Sequence, residues 1–187
     1  MAALEVMHAQ DSDAWIAAGF VRNMVWDRLS GIAERPLDDI DVLIFDPDDR
    51  TSWAPEQALE ARLLAAAPEF PWSVRNQARM HIRNRDDAYQ DIPHAMAHWL
   101  ETATSIAVRM TSSGTLEICA PYGLADLFGL ILRPTSPGHV KRDELRARAD
   151  AKGWLKRWPD LAFLRDHPAE PYAGGCFKFS EANQSIL

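Results

Sequence analysis

Two cysteines in 187 residues, Cys119 and Cys176, are too few and too far apart for a zinc cluster or a disulfide framework. No apolar run approaches the roughly 20 residues a membrane-spanning helix requires, and residues 1–10 lack the basic start and apolar middle of a secretory signal. A cytoplasmic location is the expectation. Excess positive charge is missing as well. The net charge is −7, which argues against strong binding to duplex nucleic acid, where affinity comes mainly from neutralising phosphates. There is no internal repeat or low-complexity tract.

The length suits one substantial core. Residues 1–165 read as a single domain and 166–187, rich in turn formers, as a loosely held tail. Charge is unevenly spread. Residues 1–70 hold 14 acids and 5 bases, whereas residues 71–187 hold 13 acids and 15 bases. Acid gathers around residues 38–49, and Arg75, Arg79, Arg83 and Arg85 follow closely. That juxtaposition suits a metal carrying a polyphosphate; it equally suits a fold neutralising itself.

Apolar periodicity predicts an α+β fold, a central mixed sheet flanked by helices and closed by a C-terminal helix. Strands are expected at 14–18, 40–45 and 72–76, with a hairpin over 104–110 and 115–119 turned by Thr111 to Gly114. Helices are expected at 21–29, 55–67, 92–99, 124–130 and 142–157, and polar loops at 84–91 and 133–138. Trp15, Trp72 and Trp99 sit in apolar settings and read as core. Trp154 and Trp158 are expected to seal the last helix to the body.

The most informative stretch runs from Asp38 to Asp46, because an alternating apolar strand carries Asp39 and Asp41 on one face. Side chains two apart on a strand point the same way from Cα atoms roughly 6.5 to 7 Å apart, so the two carboxylates can share one Mg²⁺ or Mn²⁺. Without a cation or hydrogen bonds they repel; the bland alternative is a solvated acidic strand end. Asp38 and Asp46 read as solvent-facing turn residues. Earlier in the chain Gly19 follows an apolar run and precedes a helix. A glycine there lets the backbone approach a phosphate, the helix start directs free N–H groups at it, and Arg22 is one turn further on. A plain tight turn and a surface cation account for the same residues. Asn76, Arg79 and His81 carry amide, guanidinium and imidazole groups a cleft could use for substrate, or that could pair with local acids, the reading preferred for Arg83 and Arg85.

A glycine turn after a first strand, a helix, then a strand bearing Asp-x-Asp resembles the nucleotidyltransferase superfamily, which includes DNA polymerase beta and the antibiotic nucleotidyltransferases. The wording of residues 18–23, 25–27, 39–42, 76–81, 101–104 and 120–128 is similar to a bacterial branch of it. The resemblance implies a metal-dependent enzyme moving a nucleoside monophosphate from an NTP to an acceptor, be it small molecule, protein or RNA. Asp39 and Asp41 would be catalytic metal ligands, and Gly19, Phe20, Arg22, Asn76 and Arg79 would contact the nucleotide. There are departures. Phe20 stands where the superfamily usually has a second glycine or a serine, and the gap to the carboxylates is long. A third carboxylate on a later strand normally completes the site, but residues 72–77 offer only Asn76; Glu101, Glu117 and Asp126 are substitutes among which the sequence does not choose. The alternative is a catalytically quiet relative that binds a nucleotide or a partner as a sensor or regulator.

Overall fold

The computed structural model describes residues 1–33, 39–49, 51–135, 142–164, 171 and 175–178. In chain order they form α1 (Ala2–Gln10), β1 (Trp15–Ala17), α2 (Gly19–Leu29), β2 (Ile40–Ile44), α3 (Ala54–Ala66), β3 (Trp72–Asn76), α4 (Met80–Asn84) and α5 (Ile92–Ala97). There follow β4 (Ala107–Met110), β5 (Leu116–Cys119), α6 (Ala125–Phe128), β6 (Ile131–Leu132), α7 (Arg142–Ala151), α8 (Trp154–Arg157), β7 (Ala162–Phe163) and β8 (Cys176–Lys178). The expected α+β architecture with a mixed sheet is what forms.

The main sheet has six strands in the order β3-β2-β1-β4-β5-β8, and β6 and β7 make a separate parallel pair. Only β2 and β3 run parallel in the main sheet, with α3 as the crossover between them, as a parallel pair requires. β3 is an edge, and two side chains from α3 cover it. Glu56 accepts the Asn76 N–H at 3.0 Å and Glu60 accepts the Val74 N–H at 3.0 Å. Carboxylates at i and i+4 on one helix face thus satisfy donors that would otherwise invite strand addition.

The two faces of the sheet differ. Ile16, Ile40, Val42, Val74 and Val108 point into the larger core, where they meet α1, α2, α3, α7 and α8 through residues such as Leu4, Met7, Trp26, Leu63, Leu145 and Trp158. Trp15, Ala17, Leu43, Ala107 and Cys119 point the other way into a smaller cluster that receives Ile92 and Met96 of α5. That face is only partly roofed, and it bears Asp41.

Several details differ from the sequence reading. Helix α1 was not expected; its Ala3, Leu4 and Met7 are buried although the segment has little contrast between its faces. The helix expected over 142–157 breaks into α7 and α8 at Gly153, whose φ is +65°, a left-handed value that costs glycine little. A one-turn helix, α4, precedes the polar stretch. Trp158 and Trp154 do seal the C-terminal helices to the body. Trp158 packs edge-on to Trp26 at 5.0 Å, and both its indole N–H (2.9 Å) and the Arg157 guanidinium (3.1 and 2.5 Å) donate to the buried carboxylate of Asp27. Within 166–187, Cys176–Lys178 forms the edge strand β8; residues 166–170, 172–174 and 179–187 lie outside the described residues, as do Asp38 and 136–138 of the expected loop. No described helix is long and apolar enough to cross a membrane.

Candidate active site

Register sets the room around Asp41. It pairs with Ala17 on β1 and Ser73 on β3, and Ala17 pairs in turn with Ala107. Cross-strand partners share a face, so the carboxylate stands in a row of small side chains. A cavity of about 460 Å³ opens above it, within the usual range for small-molecule sites, walled by Ala18, Leu43, Arg75, Arg83, His98, Trp99, Glu101 and Arg148 among others. Burial, and next the negative charge of the exposed Asp39 beside it, push the Asp41 carboxyl up to about 6; Arg148, Arg75 and Arg22 pull the other way. Asp39, one residue before β2, thus adds its negative charge to the burial that already disfavours the ionised Asp41. Such a pair fits a hard divalent cation that completes its shell with phosphate and water. Among the described residues no three His, Cys, Asp or Glu side chains are grouped to hold a metal.

The turn before α2 borders the same hollow. Its unusual residue is Ala18 rather than Gly19: Ala18 has φ 57° and ψ −125°, a region that an L side chain enters only at a cost. A Cβ on Gly19 would meet nothing closer than 3.9 Å. The long helix α2 starts here with no side chain capping it, so its first N–H groups and dipole are free for an anion. Replacing Ala18 with glycine is expected to release the strain at some cost in unfolded-chain entropy, a net gain of about 0.5–1 kcal/mol or roughly 2 °C in Tm. Thermal melting would read it, and a lower Tm would mean the turn is not strained.

The other expected contacts are turned inward. Phe20 packs against the larger core. Arg22 is buried, donating to Thr104 Oγ1 at 2.6 Å, Asn23 Oδ1 at 2.9 Å and Glu101 Oε1 at 3.3 Å, with its guanidinium 4.0 Å above the Trp154 ring. Burial pulls its pKa down to about 10, against the pull of Glu101. Asn76 makes four bonds with loop backbone. Its Oδ1 accepts from Asp46 and Ala78, and its Nδ2 donates to the carbonyls of Asp46 and Asp49, all at 2.9–3.0 Å. An acid could not donate the last two, which is why an amide stands there. Arg79 is held by Glu56 and the Ser52 carbonyl beneath Trp53. None of these four lines the cavity, a revision of the nucleotide contacts expected of them, and neither do Gly19 and Asp39. His81 is likewise anchored, its Nδ1 donating to the Ala78 carbonyl at 2.9 Å.

Of the three substitute acids, only Glu101 faces the cavity, and its Oε1 is shared by Arg22 and Thr104. Asp126 binds Arg133 at 2.9 Å and Thr102 at 2.6 Å, and Glu117 binds Arg109 at 2.9 Å. The cations on the cavity wall are instead Arg75, Arg83 and Arg148. Arg75 donates to the Val74 carbonyl at 2.6 Å and comes only within 4.0 Å of Glu60, while no ion pair of Arg83 or Arg148 with a carboxylate is found among the described residues. Arg83 was expected to pair with local acids. Arg148 sits on a helix whose alternating charges resemble any solvated face, so spacing gave no signal for it.

The family described as nucleotidyltransferase matches residues 6–163. A solution structure described as revealing a CCA-adding enzyme head domain is 31% identical, with a TM-score of 0.75 and 89% of each chain covered. Two structures of a tRNA-processing enzyme, an apo form and one with CTP, share 18% identity and TM-scores of 0.55 and 0.50. They cover 88% and 87% of this chain, which spans only 43% of theirs, and they show the fold alone. No curated protein matches the sequence.

Proposed function

Since the chain belongs to the nucleotidyltransferase family, we propose that it moves a nucleoside monophosphate from an NTP to an acceptor hydroxyl at the Asp41 cavity and releases pyrophosphate. The observation that supports this reading is Asp41, under the negative charge of Asp39, facing one hollow with Arg75, Arg83, Arg148 and Ala18, the residue before an uncapped helix start. Asp39 and Asp41 would hold a divalent cation, Mg²⁺ or Mn²⁺, whose charge would offset that of the phosphates and lower the pKa of the attacking hydroxyl. The backbone N–H groups at Gly19 and Phe20 receive phosphate oxygens. Arg83 and Arg148 clamp the outer phosphates, neutralising charge that builds on the leaving pyrophosphate. Trp99 and Leu100 give the base or the acceptor an apolar wall.

The test is incubation with each labelled NTP, Mg²⁺ or Mn²⁺, and separate RNA, protein and small-molecule fractions of a cell extract. Label appearing in any fraction, dependent on the cation, supports transfer. Binding of NTP with no transfer would instead support the quiet relative, the reading favoured by Glu101 being tied to Arg22. For binding itself, Arg148→Ala and Arg83→Ala are each expected to weaken a non-hydrolysable NTP analogue roughly tenfold, the usual weight of a charge-assisted bond. Calorimetric titration would measure this, and unchanged affinity in both variants would remove the arginines from the nucleotide site.

A further inference from the structure

The only two cysteines of the chain are register partners, Cys119 on β5 facing Cys176 on β8. The neighbouring pair in that ladder is Ala120 and Gly175, and the Ala120 N–H donates to the Gly175 carbonyl at 2.7 Å. Antiparallel ladders alternate, so Cys119 and Cys176 occupy a non-hydrogen-bonded position. There Cα atoms approach to about 4.5 Å with side chains on the same face, inside the roughly 4.4 to 6.8 Å that a disulfide spans. Both thiols belong to the smaller core cluster, Cys119 buried and Cys176 half-buried.

We infer that Cys119 and Cys176 form a thiol–disulfide modification site that staples the terminal edge strand β8 to β5. The co-reactant is a peroxide or a low-molecular-weight disulfide. With oxidised glutathione, the Cys176 thiolate attacks one glutathione sulfur and releases glutathione thiolate. The Cys119 thiol, losing its proton to solvent, then attacks the Cys176 sulfur and expels the second glutathione. The protein loses two protons and two electrons, and the glutathione disulfide is reduced to two thiols. The order follows from the environment. Cys176 is the more exposed, and the Cys119 S–H donating to it lowers its pKa while that of Cys119 rises; the thiolate is the attacking species.

The staple lies close to the cavity wall. Gly175 packs so tightly on Pro121 that a Cβ would come within 2.9 Å of its Cα. The next residue, Tyr122, donates its hydroxyl to the Ala97 carbonyl at 2.6 Å, at the end of α5, and residues His98 to Glu101 beyond it wall the cavity. Linking β8 covalently closes a long loop and restricts the unfolded chain.

The experiment treats the full chain with oxidised glutathione and reads intact mass, non-reducing gel mobility, mapped peptides and melting temperature. A monomer lighter by two hydrogens, a peptide joining Cys119 to Cys176, and a Tm higher by roughly 5–10 °C than the reduced protein are expected. In Cys119→Ser, glutathione is expected to remain on Cys176. An unreacted protein, a glutathione adduct that persists in the wild type, or a cross-linked dimer would each overturn the inference. None of these readouts depends on nucleotide transfer.

Discussion

Asp41→Asn is expected to lower the proposed label transfer from every NTP by at least about a thousandfold, and to leave the protein folded and more stable at neutral pH. The loss of transfer rests on the cation that Asp41 is proposed to hold, and the gain in stability on its carboxyl being pushed up to about 6 from the usual 3.8. A raised folded-state value means that the native protein prefers the protonated acid. That preference contributes fully below about pH 3.8 and is lost as pH rises through about 6. Ionised Asp41 is thus a cost at pH 7, about 1–2 kcal/mol once partial exposure is discounted. Asparagine escapes it. Without divalent cations the variant is expected to melt a few degrees higher at pH 7 and to match the wild type near pH 3.5. If Asp41 holds the proposed cation, Mg²⁺ is expected to raise the melting temperature of the wild type alone. A variant that transfers label as well as the wild type would end the catalytic assignment, and one that melts lower at pH 7 would reverse the electrostatic argument.

Glu101→Ala is expected to cost about 3–5 kcal/mol of folding stability, because it leaves the Arg22 guanidinium buried with its countercharge removed. Arg22→Met with Glu101→Leu, which removes both charges and keeps the volume, is expected to recover most of that loss. Urea unfolding of the two singles and the double measures the coupling. If instead Glu101→Gln leaves stability untouched and destroys cation-dependent transfer, Glu101 completes the metal site and its tie to Arg22 is secondary.

Strong local signals were readable in the sequence. The alternation of Ile40, Val42 and Ile44 with Asp41 announced a strand with one acidic face, and β3 formed over the expected residues. The glycine turn and the acidic strand together led to the family. Polar residues near those signals were harder to place, because a side chain's type does not disclose whether its partners lie inside or out. Arg22, Asn76 and Arg79 look like ligands for a nucleotide, yet besides the nearby Asn23 and Ala78 their partners come from Glu101 and Thr104, the loop after β2, and α3, between 20 and 82 residues away. Arg148 presents the converse. Only the packing of Leu145 and Ala149 into the core carries it to the cavity, and tertiary packing of that kind has no local signature. The β5–β8 pairing was hidden for the same reason, since a three-residue strand far along the chain gains its identity from the edge it meets.

The row Ala17, Asp41, Ser73 and Ala107 has one further consequence. Asp41 and Leu43 of β2 face the hollow, and the buried Ala17 and Ala107 beneath them pack into the smaller core, so the sheet side of the hollow is set by the strands. Capacity is fixed by the scaffold, whereas the rim is drawn from short helices and from α7, whose replacement disturbs little of the sheet. Under the proposed function, a change of acceptor is expected to be written in the rim and not in the strands beneath it.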